Sequence, residues 1–229
     1  MATRSNLGKL LFLVFISYSG FVFGRRISDG GIVFPPTCSR IECPDYEVIK
    51  EGSDYEIRRY NTAVWMSTSS IKSISLVAAT KTGFLELFDY IQGKNSYNAT
   101  IEMTGPVRTE VYPSDGPLCE SSFIVSFYVP KVNQADPPTA DGLQAQSWTT
   151  QYIAVRQFSG FATDYNVAVE AAALQSSLSG STVLAMKKQS HLGDAASSAS
   201  YIVAQYNSPF EFSGRINEIW MLLDMDEAM

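Results

Sequence analysis

Two short segments near the start of the folded part of the chain have the pattern of strands. In residues 55–60, Tyr55, Ile57 and Arg59 fall on one face and Glu56, Arg58 and Tyr60 on the other, and the polar residues 51–54, which include Gly52, separate this segment from residues 43–50. A period of two is typical of strands, and a Gly-containing polar connection is typical of a hairpin. Residues 63–68 have the same character, so the pattern predicts a hairpin that a third strand extends.

The apolar period then changes to that of a helix. Over residues 74–91 the apolar positions that share one helical face are Ile74, Val77, Ala78, Leu85, Phe88 and Ile91. Gly93 follows where such a helix ends, and Gly83 lies inside it, where glycine costs helix stability and marks a kink or a close contact. The pattern therefore predicts one amphipathic helix.

A strand with a break in its middle follows the helix. Residues 101–111 are strand-like, but Gly105 and Pro106 stand side by side within them and cannot continue an undisturbed ladder. The apolar residues 123–129 predict a further, well-buried strand. A kinked strand predicts a curved sheet with a concavity beside the kink.

The second half of the chain repeats this order of elements. Residues 151–158 predict a strand, and Thr163 or Asp164 can cap the helix that follows. The apolar face of that helix comprises Val167, Ala171, Leu174 and Leu178, and Gly180 ends it. Residues 200–205 then predict a strand.

A second break and a last strand complete the repeat. Asn207-Ser208-Pro209 is the counterpart of Gly105-Pro106, and residues 218–223 match the strand from Phe123. The two pseudo-repeats cover about residues 43–130 and 146–223 of a single domain at residues 43–229. The duplicated unit predicts an α+β fold with a barrel-like sheet and the helices outside.

The N-terminus has the pattern of a secretory signal peptide. Arg4 and Lys9 precede the apolar residues 10–16, and small residues follow up to Gly24. We expect a signal peptide at residues 1–24 and an arm at residues 25–42; an uncleaved signal anchor is the alternative. Cleavage would leave a chain without a membrane span in the secretory pathway, extracellular or vacuolar.

Composition and charge narrow the class of protein. The chain has 229 residues, of which 45% are hydrophobic, so one domain with a sizeable core is expected. The formal net charge is -6 and the Lys and Arg residues are scattered. Binding to nucleic acid requires clustered cations, and we exclude that class.

The cysteines and one sequon suit a secreted chain. Cys38, Cys43 and Cys119 allow at most one intramolecular disulfide. A disulfide between Cys38 and Cys43 would close a small loop within the arm. A disulfide between Cys119 and either of these two cysteines would instead link the arm to the rest of the domain. In the third alternative all three cysteines are reduced. With a single histidine in the chain they do not make a zinc site. Asn98 begins the one Asn-x-Ser/Thr sequon and is a candidate glycosylation site.

Several motifs together resemble those of a known family. They are, besides Trp65, Cys43-Pro44-x-Tyr46, Tyr55-Glu56-Ile57-Arg58-x-Tyr60, the helix segment from Gly83 to Asn95, Met103-Thr104-Gly105-Pro106-Val107, Ser126-Phe127-Tyr128-Val129-Pro130, Gln157-Phe158-Ser159-Gly160-Phe161, the segment from Ala204 to Phe210, and Arg215-Ile216-Asn217-Glu218-Ile219-Trp220. Over residues 43–223 the chain resembles the SOUL haem-binding protein family, in particular its plant members with a signal peptide.

The resemblance implies both a fold and a function. The fold is a distorted, twisted β-barrel flanked by two helices, with an internal repeat, which agrees with the pattern above. The function is non-enzymatic binding of haem or a related tetrapyrrole in a shallow apolar groove, as a carrier or buffer. We expect that groove between the first helix, residues 74–91, and the broken strand at residues 103–106.

A haem site needs an apolar groove, cations for the propionates and, optionally, an axial ligand. Met103 and Phe84 are candidate lining residues, and Lys72 and Lys81 are candidate propionate partners. His191 is the candidate axial metal ligand on chemistry alone. Its polar surroundings are typical of an exposed loop and it belongs to no family motif, so we expect binding without histidine ligation.

Other residues receive structural interpretations, and two other functions stay open. Lys187 and Lys188 are further candidate cations, and Cys119 is expected to be a structural thiol or half of a disulfide. Arg58 or Arg59 can pair with Glu102 or Glu218, which is a structural role. The same two glutamates are the acid/base pair of the first alternative, a small-molecule hydrolase. The second alternative is a protein–protein interaction module with incidental porphyrin affinity.

Overall fold

The computed structural model describes residues 32–114, 119–179 and 201–223. Its elements are β1 (Tyr46–Glu51), β2 (Glu56–Tyr60), β3 (Ala63–Thr68), β4 (Ile71–Ser73), α1 (Leu76–Ile91), β5 (Val107–Tyr112), β6 (Ser121–Tyr128), β7 (Leu143–Trp148), β8 (Gln151–Ser159), α2 (Asp164–Ser179), β9 (Tyr201–Gln205) and β10 (Ile216–Leu223), with short 3₁₀ helices at Pro36–Ser39 and Lys131–Asn133. The predicted signal peptide, Gly180, Lys187, Lys188 and His191 lie outside the described residues.

The strands form one antiparallel sheet that curls strongly. Its order is β1-β2-β8-β10-β9-β5-β6-β3-β7, and β4 pairs with β6 beside this path. In a flat sheet β10 and β3 would lie ~19 Å apart, since four strand spacings separate them. The rings of Trp220 on β10 and Trp65 on β3 nevertheless have centroids 6.4 Å apart. The sheet therefore curls towards these rings, as the predicted distorted barrel requires.

The two faces of the sheet have different chemistry. The outer face packs against the helices through an aliphatic cluster that includes Val203 and Ile219 of the sheet and Leu174 of α2. The inner face, which is the concave one, carries aromatic residues such as Trp65 and Trp220 together with fully buried charges. Side chains alternate between the faces along each strand, so one strand supplies both layers.

Helix α1 buries a different face from the one that its apolar period predicts. Its buried residues are Leu76, Ala79, Gly83, Leu87, Tyr90 and Ile91. Of the predicted stripe, Ile74, Val77, Leu85 and Phe88 are exposed by 40% or more. The helix is apolar on two nearly opposite faces, and its apolar period alone does not say which of them contacts the sheet. The helix ends before Gly93, which has a φ of 109°, as predicted.

The segment with Gly105-Pro106 is not a strand with a break. Strand β5 begins after it, at Val107, and only Thr104 forms an isolated bridge, to Glu42 of the arm. The Gly105–Pro106 peptide bond is cis. Proline has no N–H to donate to a ladder, and the N–H of Gly105 donates instead to the carbonyl oxygen of Glu42 at 2.9 Å. The predicted kinked strand is therefore an irregular segment that precedes β5 and is hydrogen-bonded to the arm.

The helix caps connect the two pseudo-repeats. Thr163 Oγ1 accepts the N–H of Asn166 at 3.1 Å and so caps α2, as one of the two predicted alternatives required. Asp164, the other alternative, binds the start of α1. Its carboxylate accepts the N–H of Val77 at 3.1 Å and the hydroxyl of Ser75 at 2.8 Å. The N-termini of both helices thus meet at the same place.

The described part of the arm packs on the domain and is not loose. Cys38 and Cys43 form a disulfide, and Cys119 is an exposed free thiol. Gln157 exchanges two hydrogen bonds with the backbone of Val33, at 3.0 and 2.8 Å. Of the three alternatives for the cysteines, the structure therefore has the disulfide between Cys38 and Cys43 within the arm.

Candidate ligand groove

A groove opens on the outer side of the sheet, beside α1. It encloses a cavity of about 300 Å³ between α1, the start of β5, the end of β9 and the two loops that follow β8 and β9. Its lining residues are Leu76, Val77, Thr80, Lys81, Phe84, Val107, Phe161, Ala162, Gln205, Asn207, Pro209 and Arg215. This volume is at the lower end of ligand pockets, so a larger ligand has to extend beyond it.

Exposed apolar side chains continue the groove along α1. Val77, Leu85 and Phe88 are each exposed by 40–53%. Phe84 stacks on Phe88 with ring centroids 5.8 Å apart and meets Phe127 of β6 edge to face at 5.4 Å. The apolar surface beside the cavity therefore extends along α1 beyond the lining residues.

Two cations and no carboxylate are found among the described residues that line the cavity. Lys81 is exposed on α1, whereas Arg215 is 5% exposed at the start of the last strand. The chain as a whole has a formal charge of -6. The groove wall thus carries two cations, and the nearest carboxylates, such as Asp164 at the N–H of Val77, lie behind the lining residues. Lysine and arginine side chains in a cleft attract anionic groups.

Arg215 also shapes the groove wall. Its Nη1 donates to the carbonyl oxygens of Ser208 and Glu211, both at 2.7 Å, and its guanidinium lies 4.3 Å from the ring centroid of Phe161. Burial lowers the pKa of Arg215, but an arginine stays charged at neutral pH. Its buried Nε finds no hydrogen-bond partner among the described residues. Arg215 therefore fixes the loop after β9 and adds positive charge.

The start of α1 is not available to a ligand carboxylate. Helix N-termini attract anions because their first N–H groups are unpaired. Here Asp164 already accepts the N–H of Val77, and Ser75 accepts that of Ala78 at 3.1 Å. The exposed cation of Lys81, one turn further along, is the group that remains for an anionic ligand.

The structure brings two of the four predicted groove residues together. Lys81 and Phe84 line the cavity. Met103 packs in the apolar cluster beneath α1, and Lys72 lies on β4, where its Nζ donates to Ser122 Oγ at 2.5 Å. The proposed axial ligand, His191, lies outside the described residues.

Sequence reasoning missed the opposite wall of the groove. Phe161, Gln205, Asn207, Pro209 and Arg215 line the cavity from the second pseudo-repeat. All five belong to motifs that carried the family resemblance. Nothing in their sequence positions says that these motifs meet α1, since that contact arises only when β9 pairs with β5.

The two glutamates of the hydrolase alternative do not share a site. Glu102 is exposed, and Glu218 is fully buried on the inner face. Arg58 Nη1 donates to both oxygens of Glu218 at 3.0 and 3.1 Å, and Gln157 also donates to it at 3.2 Å. Glu218 is thus the partner of a buried ion pair, which confirms the structural interpretation of Arg58.

Further donors complete this buried network. Tyr206 and Trp220 donate to Glu218 Oε2 at 2.8 and 2.7 Å, and Arg58 Nε donates to Glu56 at 2.9 Å. Burial disfavours the charged guanidinium of Arg58, but Glu218 counters it and the pKa of Arg58 is raised. Burial, with the charge of Glu218, raises the pKa of Tyr206.

The described part of the chain offers neither a metal-binding cluster nor a membrane-spanning helix. No group of three His, Cys, Asp or Glu side chains there is placed to hold a metal ion. No described helix has the length and apolar character needed to cross a bilayer.

A curled sheet flanked by two helices, with an apolar groove whose wall carries two cations, defines an α+β domain with a candidate ligand site. The SOUL heme-binding protein family matches the chain over residues 41–222, and the chain belongs to this family. Heme-binding protein 2 of Homo sapiens is 32% identical over 200 residues, which cover 85% of this chain and 92% of that protein. Heme-binding protein 1 of Xenopus laevis is 30% identical over 175 residues, covering 76% and 85%.

A solved structure supports the fold alone. EcmrR in its complex with DNA matches 75% of this chain and 57% of its own, with a TM-score of 0.51 and 7% identity. At this identity the likeness concerns the course of the backbone and says nothing about the ligand.

Proposed function

We propose that this protein binds haem or a related tetrapyrrole non-covalently in the groove beside α1, as a carrier or buffer. The observation that carries the proposal is the pairing of an apolar cavity with Lys81 and Arg215 in its wall. Haem is a large apolar ring with two propionates, so it needs both features. The names of the relatives, heme-binding proteins 1 and 2, support the same ligand class.

The described residues fit the macrocycle better than the iron. Phe84, Val107 and Phe161 offer apolar surface, and Lys81 is placed to pair with a propionate. The described lining holds no His, Cys or Met that can serve as an axial ligand. A carrier makes no use of the redox chemistry that bound iron supplies, and a half-open groove favours exchange of the ligand.

We expect Lys81→Glu to raise the Kd for haem by about tenfold, or about 1.4 kcal/mol, because it places a negative charge beside the propionate. The measurement is a titration of the mature protein followed through the Soret band. Lys72→Glu is the matched control, since Lys72 is an exposed lysine that does not line the cavity. Equal losses in the two variants would mean a general charge effect and would remove Lys81 from the site.

The same titration tests the role of the iron. His191→Ala and metal-free protoporphyrin should both give saturable one-to-one binding, with a Kd within about tenfold of that of the wild-type protein with haem. A large spectral shift with lost affinity in His191→Ala would instead make His191 an axial ligand. Binding that never saturates, in every variant, would overturn the proposal.

That last outcome would favour a protein–protein interaction module. The observation in its favour is a group of exposed aromatic side chains near the groove. Phe210 and Phe212 are 83% and 77% exposed, and Phe212 lies 6.1 Å from Phe161 between ring centroids. Exposed apolar groups of this kind suit a partner surface as well as a ligand.

We place the protein in the secretory pathway, extracellular or vacuolar, on three grounds. The signal-peptide pattern comes first, and the Cys38–Cys43 disulfide suits an oxidising compartment. The third is the sequon at Asn98, which is exposed in the turn after α1 and has a φ of 49°.

Asn98 should carry an N-linked glycan in protein made through the secretory pathway. Treatment of the wild-type protein with a peptide N-glycosidase, which hydrolyses the glycan–asparagine amide bond, should lower its mass by one glycan and convert Asn98 to Asp. Asn98→Gln should show no such change, and Asn207→Gln, outside any sequon, should keep it. Secreted wild-type protein of unmodified mass would contradict this prediction.

A further inference from the structure

A chain of oxidisable rings crosses the inner face of the sheet. Its members in order are Tyr46, Tyr60, Trp220, Trp65 and Trp148, with successive ring centroids 5.1, 4.9, 6.4 and 5.7 Å apart. The three middle rings are at most 2% exposed. Tyr46 and Trp148 are half-buried, so each end of the chain reaches the surface. None of these residues lines the ligand groove.

Charges along the chain differ between its two ends. The guanidinium of Arg108 lies 4.5 Å from the ring centroid of Trp65 and 4.2 Å from that of Trp148. A nearby cation makes removal of an electron from a ring harder. In the middle of the chain, Trp220 donates its indole N–H to the Glu218 carboxylate at 2.7 Å. A nearby anion makes that removal easier. Arg58 also lies 4.2 Å from the ring centroid of Tyr46, but two carboxylates, Glu56 and Glu218, pair with this guanidinium, whereas Glu110 pairs with Arg108. These buried charges sum to -1 beside Tyr46 and Trp220 and to zero beside Trp65 and Trp148, so a positive hole is favoured at the Trp220 side of the chain.

Proton transfer, like the charges, favours the oxidised state at Trp220 over that at Trp65. An oxidised indole becomes a strong acid and is stabilised when its proton moves to a base. Glu218 is such a base for Trp220. The Nε1 of Trp65 is buried and has no hydrogen-bond partner among the described residues. Trp65 can therefore only relay the charge, whereas Trp220 can hold it.

We propose that this ring chain conducts one-electron oxidising equivalents from Trp148 through the interior to Tyr46. A one-electron oxidant, such as a peroxide-derived radical, takes an electron from Trp148. Trp65 then donates an electron to the oxidised Trp148, and Trp220 donates an electron to the oxidised Trp65. The indole proton of Trp220 passes to Glu218. An electron from Tyr46 then returns to Trp220 through Tyr60.

The last step restores the interior. Trp220 recovers its proton from Glu218, and the phenol proton of Tyr46 goes to water. The net change is one electron to the oxidant, one proton to the solvent and a neutral tyrosyl radical at Tyr46, which a thiol or ascorbate reduces. The interior is spared permanent oxidation. This activity does not depend on the proposed ligand, although a protein that holds iron porphyrin meets such oxidants.

The test starts the charge at one end and observes it at the other. A ruthenium polypyridyl photo-oxidant is attached at Thr149→Cys, next to Trp148, in a Cys119→Ser background. Flash-quench oxidation is followed by transient absorption, which separates indolyl from tyrosyl radicals, and the oxidised positions are mapped by mass spectrometry. We expect an indolyl signal that decays into a tyrosyl signal, with products at Tyr46. The exposed Tyr97 and Tyr165 serve as internal references for oxidation from solution.

Tyr60→Phe removes the link between Trp220 and Tyr46 while keeping a ring in place. We expect the indolyl radical to live several-fold longer and the Tyr46 products to be lost. Tyr128→Phe is the matched control, because Tyr128 lies 5.6 Å from Trp65 but off the chain; it should leave both readouts unchanged. Equal effects of the two variants, or Tyr46 products that persist in Tyr60→Phe, would overturn the proposal.

A second variant covers the case in which Tyr60→Phe does not fold. Tyr60 accepts a hydrogen bond from Arg58 at 3.2 Å, so near-ultraviolet circular dichroism has to be recorded for it. Tyr46→Phe changes only the half-buried end of the chain. It should prolong the indolyl signal and leave no tyrosyl product at position 46. A tyrosyl signal of unchanged yield and rate in this variant would show that the charge does not reach Tyr46.

Discussion

Replacing Arg58 with methionine should lower the free energy of unfolding by about 3–5 kcal/mol, the cost of breaking a buried ion pair from one side. Arg58 and Glu218 are both 0% exposed, and Glu56 contacts the same guanidinium at 6% exposure. Removal of the arginine leaves both carboxylates buried without the cation that pairs with them. Methionine keeps much of the side-chain volume, so the loss reports charge and hydrogen bonds rather than a cavity.

Arg59→Met is the matched control for Arg58→Met. Arg59 is the next residue of β2 and pairs with Glu47 at 2.9 Å, with side chains 35% and 63% exposed. Such a surface pair contributes about 0–1 kcal/mol. Urea unfolding of both variants measures the difference. Equal midpoints would contradict a special role for the buried pair, and the double variant Arg58→Met with Glu218→Gln should recover part of the loss because it removes one unpaired charge.

The buried pair was only partly predictable, since the sequence left open Arg58 or Arg59 and Glu102 or Glu218. Tyr55 to Tyr60 alternate, so Arg58 had to share a face with Glu56 and Tyr60. The choice of Glu218 over Glu102 was not predictable, because it depends on β10 pairing with β8 and β8 with β2. The alternation along β2 therefore predicts which face of the strand carries Arg58, whereas the order of the strands in the sheet determines which glutamate pairs with it.

The groove was half predictable for a related reason. Lys81 and Phe84 follow from the position of α1 beside the strand start at Val107. Arg215 and Phe161 come from the second pseudo-repeat, and only the β5–β9 pairing carries them to α1. The period of α1 indicated an apolar stripe but did not say whether that stripe faces the sheet or the groove. A helix that is apolar towards both the sheet and a ligand has no single period that separates the two.

Helix α1 packs closely on the sheet at Gly83, and the sequence indicated this contact only by the presence of a glycine inside the helix. A Cβ at Gly83 would lie 2.5 Å from Val125 Cγ2 and 2.6 Å from Val125 Cβ. Val125 is 0% exposed in the middle of β6, so it has no free space into which to move. At Gly83 the helix that carries the groove thus lies too close to the sheet to leave room for a Cβ.

Gly83→Ala should therefore destabilise the protein by about 1–3 kcal/mol through overpacking. Helix propensity alone predicts the opposite sign, a gain of about 1 kcal/mol for alanine over glycine. Unfolding in urea decides between them, with Glu86→Ala at an exposed site of the same helix expected to change stability by no more than about 0.5 kcal/mol. In a double-mutant cycle, Gly83→Ala should cost less in a Val125→Ala background than in wild type, since that background lacks the methyl group 2.5 Å from the new Cβ, while the Val125 Cβ at 2.6 Å remains. A Gly83→Ala protein more stable than wild type would show that α1 can move outwards freely, and haem affinity should then change as Lys81 and Phe84 move with it.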